Sequence, residues 1–176
     1  MKRTGRLRLL LKFIAISILF LTTSLSGQDK ENITQEFLSD FSRLIGGEWH
    51  LGNSYQVFEW GVGKLSVKSS NYFITDGIPE LVSEGLWVWH PGEKQIKGYF
   101  TAVNMPADFF EYTTIFQENK MINRLTTYSS NDSPKNYTEI WEFKDDKTFK
   151  WTLFQKKDGK DQLIMEGTYQ RKLKNE

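Results

Sequence analysis

The chain has 176 residues, 23 basic and 22 acidic side chains, two histidines, six tryptophans and no cysteine. Without cysteine there can be no structural disulfide, thiolate metal site or lipid-modified lipoprotein start. Five of the basic residues fall in the first 27 positions, leaving 18 basic against 22 acidic side chains and a charge of −4, which is no footprint for nucleic acid.

The first predicted element is an export signal over residues 1–27. Lys2, Arg3, Arg6, Arg8 and Lys12 form a basic head, Phe13 to Leu21 an apolar run, and Thr22, Thr23, Ser24, Ser26 and Gly27 a small-residue exit. Ser24 and Ser26 suit the −3 and −1 positions of a cleavage site, with a mature start at Gly27 or Gln28. The apolar core is shorter than the roughly 20 residues of a spanning helix. A periplasmic or secreted protein with no membrane span after cleavage is therefore expected. Residues 28–33 read as a polar leader and 34–173 as one domain, long enough to bury a core of its own.

From 34 to 45 the apolar positions Phe37, Leu38, Phe41, Leu44 and Ile45 mark one face of a helix. Asn32 or Thr34 can cap its start, and Gly46-Gly47 ends it. Beyond Gly47 the pattern changes to short alternating runs. Strands are expected at 48–51, 55–60, 64–74, 81–90, 95–103, 109–118, 121–129, 137–144, 148–155 and 163–171. Asp76-Gly77, Pro91-Gly92 and Asp158-Gly159 supply turn conformations, and Asn119-Lys120 and Asp145-Asp146 permit short hairpins. Short connections make sequence neighbours pair antiparallel. An open meander of about ten strands has two raw edges, and closing into a barrel removes them. The expected fold is all-β: a closed antiparallel barrel with the short N-terminal helix plugging one end. A two-sheet sandwich is the competing arrangement.

The segment Leu44-Ile45-Gly46-Gly47-Glu48-Trp49 places a glycine and a tryptophan at a helix-to-strand bend. It resembles the Gly-x-Trp start of lipocalin-like (calycin) β-barrels, where the tryptophan closes the bottom of the core. Other local patterns include Ser83-Glu84-Gly85-Leu86-Trp87, Trp89-His90-Pro91, Met105-Pro106, Phe110-Glu111-Tyr112-Thr113-Thr114, Trp151-Thr152-Leu153 and Gly167-Thr168-Tyr169-Gln170-Arg171. With Glu139-x-Trp141-x-Phe143 they resemble a family of bacterial secreted domains of unknown function with this build. The resemblance spans nearly the whole chain after the signal and implies a fold without an activity. Nitrobindin-like barrels bind haem through a histidine near the C-terminal end, but this sequence has only His50 and His90. No cofactor is expected.

Candidate chemistry is sparse. His50 and His90 with Glu48 and Glu84 fall short of a convincing metal site, since catalytic sites use at least three protein ligands. No nucleophile motif occurs, so no catalytic residue and no metal ligand is assigned. Glu139 shares a strand face with Tyr137, Trp141 and Phe143. If that face points inward, its carboxyl is desolvated, and Arg124 on a neighbouring strand is the partner the sequence suggests. Trp87 and Trp89 share another face. The candidate ligand-binding set is Trp60, Trp87, Trp89, Tyr112, Arg124, Glu139, Trp141 and Trp151. Met105-Pro106-Ala107-Asp108 interrupts the strand pattern, and there a mouth loop would expose Met105 and Phe109. The expectation is a non-catalytic binder of a small hydrophobic or amphipathic molecule. The alternatives are an enzyme using Glu84 or Glu139 with His90, and a structural or protein-interaction module. The sequence leaves the oligomeric state open.

Overall fold

A computed structural model describes residues 36–173. The expected export signal, the leader and the first residues of the expected helix lie outside the described residues. Ten antiparallel strands follow one another: β1 (Glu48–Leu51), β2 (Ser54–Trp60), β3 (Ser66–Thr75), β4 (Ile78–His90) and β5 (Gln95–Ala102), then β6 (Phe109–Gln117), β7 (Lys120–Ser129), β8 (Asp132–Asp145), β9 (Thr148–Lys157) and β10 (Lys160–Lys172). Each pairs with its sequence neighbour, and β1 also pairs with β10, through Glu48↔Lys172, Trp49↔Arg171 and His50↔Gln170. The sheet is thus a closed barrel and not a sandwich, and it has no free edge. Among the described residues no helix is long and apolar enough to cross a membrane.

The short helix expected before β1 is present, mostly wound as a 3-10 helix. One helical turn leads into a 3-10 helix over Ser39–Arg43. The side chains that disappear from solvent are Leu38, Phe41 and Leu44, three residues apart. A three-residue repeat keeps one face in register only if there are three residues per turn, as in a 3-10 helix. Phe41 enters the barrel end, with its ring centroid 5.3 Å from that of Trp87 and 4.9 Å from that of Phe116. Phe37 lies flat on Trp89 at 3.7 Å.

This plug is latched by the two ends of the sheet. The Trp49 indole donates to the Leu44 carbonyl at 2.9 Å. The Arg171 guanidinium lies 4.6 Å over the Trp49 ring and donates to the carbonyls of Arg43 (2.8 Å), Ile45 (2.9 Å) and Asp146 (3.1 Å). Carbonyls left open at a helix end thereby find donors. Gly47 makes the bend: its φ is +74°, and a Cβ there would lie 2.6 Å from the Lys172 carbonyl oxygen.

One expected turn and one strand start differ from expectation. Asp76-Gly77 and Asp158-Gly159 have positive φ at both residues, as tight two-residue hairpins demand. In the longer β4–β5 connection the left-handed residue is Lys94 (φ 53°), and Gly92 is not left-handed. Strand β8 starts five residues earlier than its hydrophobic pattern, at Asp132. Residues 132–136 pair only with β7, because the register with β9 begins at Tyr137↔Gln155. One-sided pairing lets Pro134 sit in the strand without a missing N–H being felt, and it leaves the polar residues there exposed.

The half of the barrel next to the plug is filled with rings. Trp141, Phe149 and Tyr169 form a stack, with centroids 4.9 and 4.7 Å apart, and Trp49 and Phe58 pack around it. Fully burying such side chains contributes roughly 1.5–3 kcal/mol each.

Candidate functional site

Above the ring stack the barrel is hollow. The cavity has a volume of about 300 Å³ and opens toward the end opposite the plug. Its walls are unequal. Ser54 and Gln56 on β2, Ser69 and Asn71 on β3 and Ser83 on β4 give one side hydroxyl and amide groups. Phe100, Phe110, Leu125 and Leu153 line the other side, and Met105 and Met165 stand at the mouth. Trp87 and Trp141, 2% and 3% exposed, form the floor on the plug and ring stack. Trp87 lies over Gly98, the residue opposite it in register. A Cβ at Gly98 would come within 2.7 Å of the indole nitrogen, so this glycine makes room for the ring.

Glu139 projects into this space from β8. Alternation accounts for its direction: Glu139, Trp141 and Phe143 are buried, whereas Ile140 and Glu142 are half-buried and Lys144 is exposed. The carboxyl receives two hydrogen bonds, from Asn123 Nδ2 to Oε2 (2.7 Å) and from Trp151 Nε1 to Oε1. Asn123 in turn accepts from the Thr114 hydroxyl at 2.6 Å. A polar chain therefore crosses four adjacent strands, β6 to β9, on the inner surface. Burial raises the Glu139 carboxyl above the ordinary carboxylate value, against the opposing pull of the Trp151, Asn123 and Trp141 N–H groups. The Trp141 N–H acts only from nearby, since it completes no hydrogen bond; it and the Trp87 N–H are buried without an acceptor. Burial also pushes the Tyr112 hydroxyl well above its usual range, with the Glu139 and Tyr169 charges adding to the effect. The Tyr169 hydroxyl is raised by burial and by Glu139, and it accepts a hydrogen bond from Gln56 at 3.1 Å.

Of the eight residues singled out from the sequence, five line the cavity: Trp87, Tyr112, Glu139, Trp141 and Trp151. Trp60 and Trp89 pack against the core beside the plug, and Trp89 is covered by Phe37. Arg124 faces outward and is exposed, between the buried Asn123 and Leu125. It therefore does not partner Glu139; Asn123, one residue earlier and directly opposite Glu139 in register, takes that place. Asn123, Thr114, Gln56 and Tyr169 belong to the site without being among the residues expected from the sequence. Asn123 had a signal: it alternates with Met121 and Leu125, a face otherwise apolar.

Met105 is half exposed at the mouth and lines the cavity, while Phe109 lies on the outer face, with its ring centroid 6.4 Å from Tyr99 and 5.9 Å from Tyr128. His50 Nε2 bonds Glu48 at 2.9 Å, and His90 Nδ1 accepts the Glu93 N–H at 3.0 Å. Neither histidine lines the cavity, and Glu84 faces outward. Among the described residues no three histidine or acidic side chains converge as a metal would require. Two larger hollows, beside the plug at Arg43 and on the outer face over Gly85, are open and carry exposed or half-exposed charges.

Neither a protein-family model nor a curated protein matches this chain.

Proposed function

We propose that the protein is an exported carrier of lipocalin-like build that holds a small amphipathic molecule in its lumen and does not transform it. The observation behind this reading is the pairing of a hollow, aromatic-floored barrel with one buried carboxyl at its wall. A volume of about 300 Å³ falls at the lower end of the ligand-pocket range, roughly 300–1,000 Å³. Rings supply affinity by area and stacking, while Glu139 and the serine and amide groups opposite orient a polar end. Met105 at the mouth suits a portal. The buried Trp49 base is in keeping with the calycin resemblance.

An enzymatic reading needs an acid–base partner within hydrogen-bond reach of Glu139. His90 and Glu84, the partners suggested by the sequence, have their surroundings elsewhere. Binding is therefore the better-supported use of the cavity.

The test is a titration of intrinsic tryptophan fluorescence with hexyl-chain probes, together with mass spectrometry of small molecules that co-purify with the protein. Saturable quenching or a blue shift is expected, because Trp87, Trp141 and Trp151 all line the space. If every probe leaves the emission unchanged and nothing co-purifies, the carrier reading fails.

A further inference from the structure

Among the described residues, Glu139 is a buried acid that shares its cavity with no lysine or arginine. Buried charges are ordinarily paired, because an isolated carboxylate in a low-dielectric site is costly. Here the only basic side chain suggested by the sequence, Arg124, is on the outside. Asn123 and Trp151 occupy one acceptor site on each oxygen. A carboxylate offers about four such sites, so acceptor capacity remains on the cavity side.

The surroundings of that carboxyl are rings. Trp141 follows on the same inward face, Trp151 reaches in from β9, and Tyr112 on β6 and Tyr169 on β10 lie close enough to feel its charge. Those two tyrosines are the titratable groups facing it from the packed strands, while β7 brings the neutral Asn123. Ring faces are negative and attract cations, most strongly where water is excluded. On the far side, β3 is five strands around the ring of ten from β8, so Ser69 and Asn71 look across the lumen toward Glu139. They are placed for a second polar group on the same ligand.

We propose that the cavity selects an organic cation, an amine or quaternary ammonium on a small hydrophobic body, with Glu139 as its counter-ion. This rests on the carrier reading above and narrows it to one ligand class. The unpartnered N–H groups of Trp87 and Trp141 would welcome an acceptor. An anionic ligand that used them would stand against Glu139 in the same water-poor space, where like charges repel strongly. A cation places its charge on Glu139 and can offer a hydroxyl or carbonyl to an indole.

Four hexyl-chain probes separate the readings: hexylammonium, hexyltrimethylammonium, 1-hexanol and hexanoate, titrated into the purified protein by calorimetry between pH 5 and 8. Hexylammonium is expected to bind about tenfold tighter than 1-hexanol, the scale of a charge-assisted contact with ring faces beside it. Its affinity is higher wherever Glu139 is ionised than where it is protonated, because an alkylamine titrates only at about 10.4 and stays charged throughout. The alcohol shows no such difference. Glu139→Gln removes the cation preference, so that hexylammonium loses its roughly tenfold advantage over 1-hexanol. If that variant does not fold, the pH dependence of the unaltered protein decides. Equal or tighter binding of 1-hexanol or hexanoate overturns the cation assignment and leaves the carrier reading standing. Failure of all four probes to bind removes both.

Discussion

Replacing Asn123 with leucine tests whether the polar chain inside the barrel is part of its stability. Asn123 has no exposed surface and holds two partners, the Thr114 hydroxyl at 2.6 Å and Glu139 Oε2 at 2.7 Å. Leucine keeps the branched heavy-atom skeleton, with somewhat greater bulk, and removes both contacts. Orphaning a buried hydroxyl costs roughly 1–3 kcal/mol, and losing a hydrogen bond to a charged group about 1.5–3 kcal/mol. The net loss expected is about 3–5 kcal/mol, because part of the released strain relaxes. For a domain of this size, thermal midpoints move by about 2–4 °C per kcal/mol, so the melting temperature should fall by roughly 6–20 °C. Urea denaturation at pH 7, followed by tryptophan emission, gives the free energy directly. Adding Thr114→Val to the same chain removes the orphaned hydroxyl and should restore about 1 kcal/mol or more. A loss below about 1 kcal/mol for Asn123→Leu, with no recovery from the second change, would mean that water satisfies these groups. The inner wall would then be wetter than the contacts described above.

Three further outcomes follow from the same geometry. Gly98→Ala places a methyl within 2.7 Å of the Trp87 indole nitrogen and 2.8 Å of its Cδ1; since that ring is buried and cannot swing away, a loss of about 1–3 kcal/mol and a shifted tryptophan emission are expected by denaturation and fluorescence. Arg171→Lys keeps the charge but loses the planar fork that reaches Arg43, Ile45 and Asp146 together, so stability should drop by about 1–3 kcal/mol, with faster hydrogen exchange in the plug as the marker. Glu139 has a folded-state pKa above its ordinary 4.5, so the folded protein holds this proton more tightly than the unfolded chain. Its stabilising contribution is complete below 4.5 and disappears as pH rises through the folded value. The stability of the natural chain relative to Glu139→Gln should therefore decline with pH above that point, and a flat difference in denaturation curves across this window would contradict a desolvated carboxyl.

Alternation carried most of the architecture. Ten runs with period two, separated by short turns, locate ten strands, and the faces of Tyr137–Phe143 and Trp87–Trp89 read off the sequence are the faces that turn inward. What period two does not contain is height along the barrel axis. Trp60 and Trp89 face inward like Trp87 and Trp141, yet they end at the plug and not at the cavity, because height is set by strand stagger. Parity also decides between neighbours. Arg124 looks like a partner for an acid, but the buried residues on either side of it assign the inner position to Asn123. The short helix itself is legible in the sequence, but its winding is not: Phe37 and Ile45 fit a 3.6-residue stripe, while the three side chains that disappear are spaced by three. Local hydrophobicity does not distinguish those two periods over nine residues.

The seam between β1 and β10 has a kinetic consequence. Every other strand pair joins neighbours across a short connection, but Glu48↔Lys172 brings together residues 124 positions apart through a contact only three pairs long. Nine hairpin junctions can assemble as the chain emerges, whereas this last one waits for the C-terminal strand and must close a loop spanning almost the entire domain. A nascent or truncated chain lacking Tyr169 to Lys172 would stall as a curled ribbon, its first strand and the shortened tenth bare and ready to zip onto another copy. Arg171 sits at that seam and reaches back to the plug, so a residue of the tenth strand also holds the carbonyls of Arg43 and Ile45 in place.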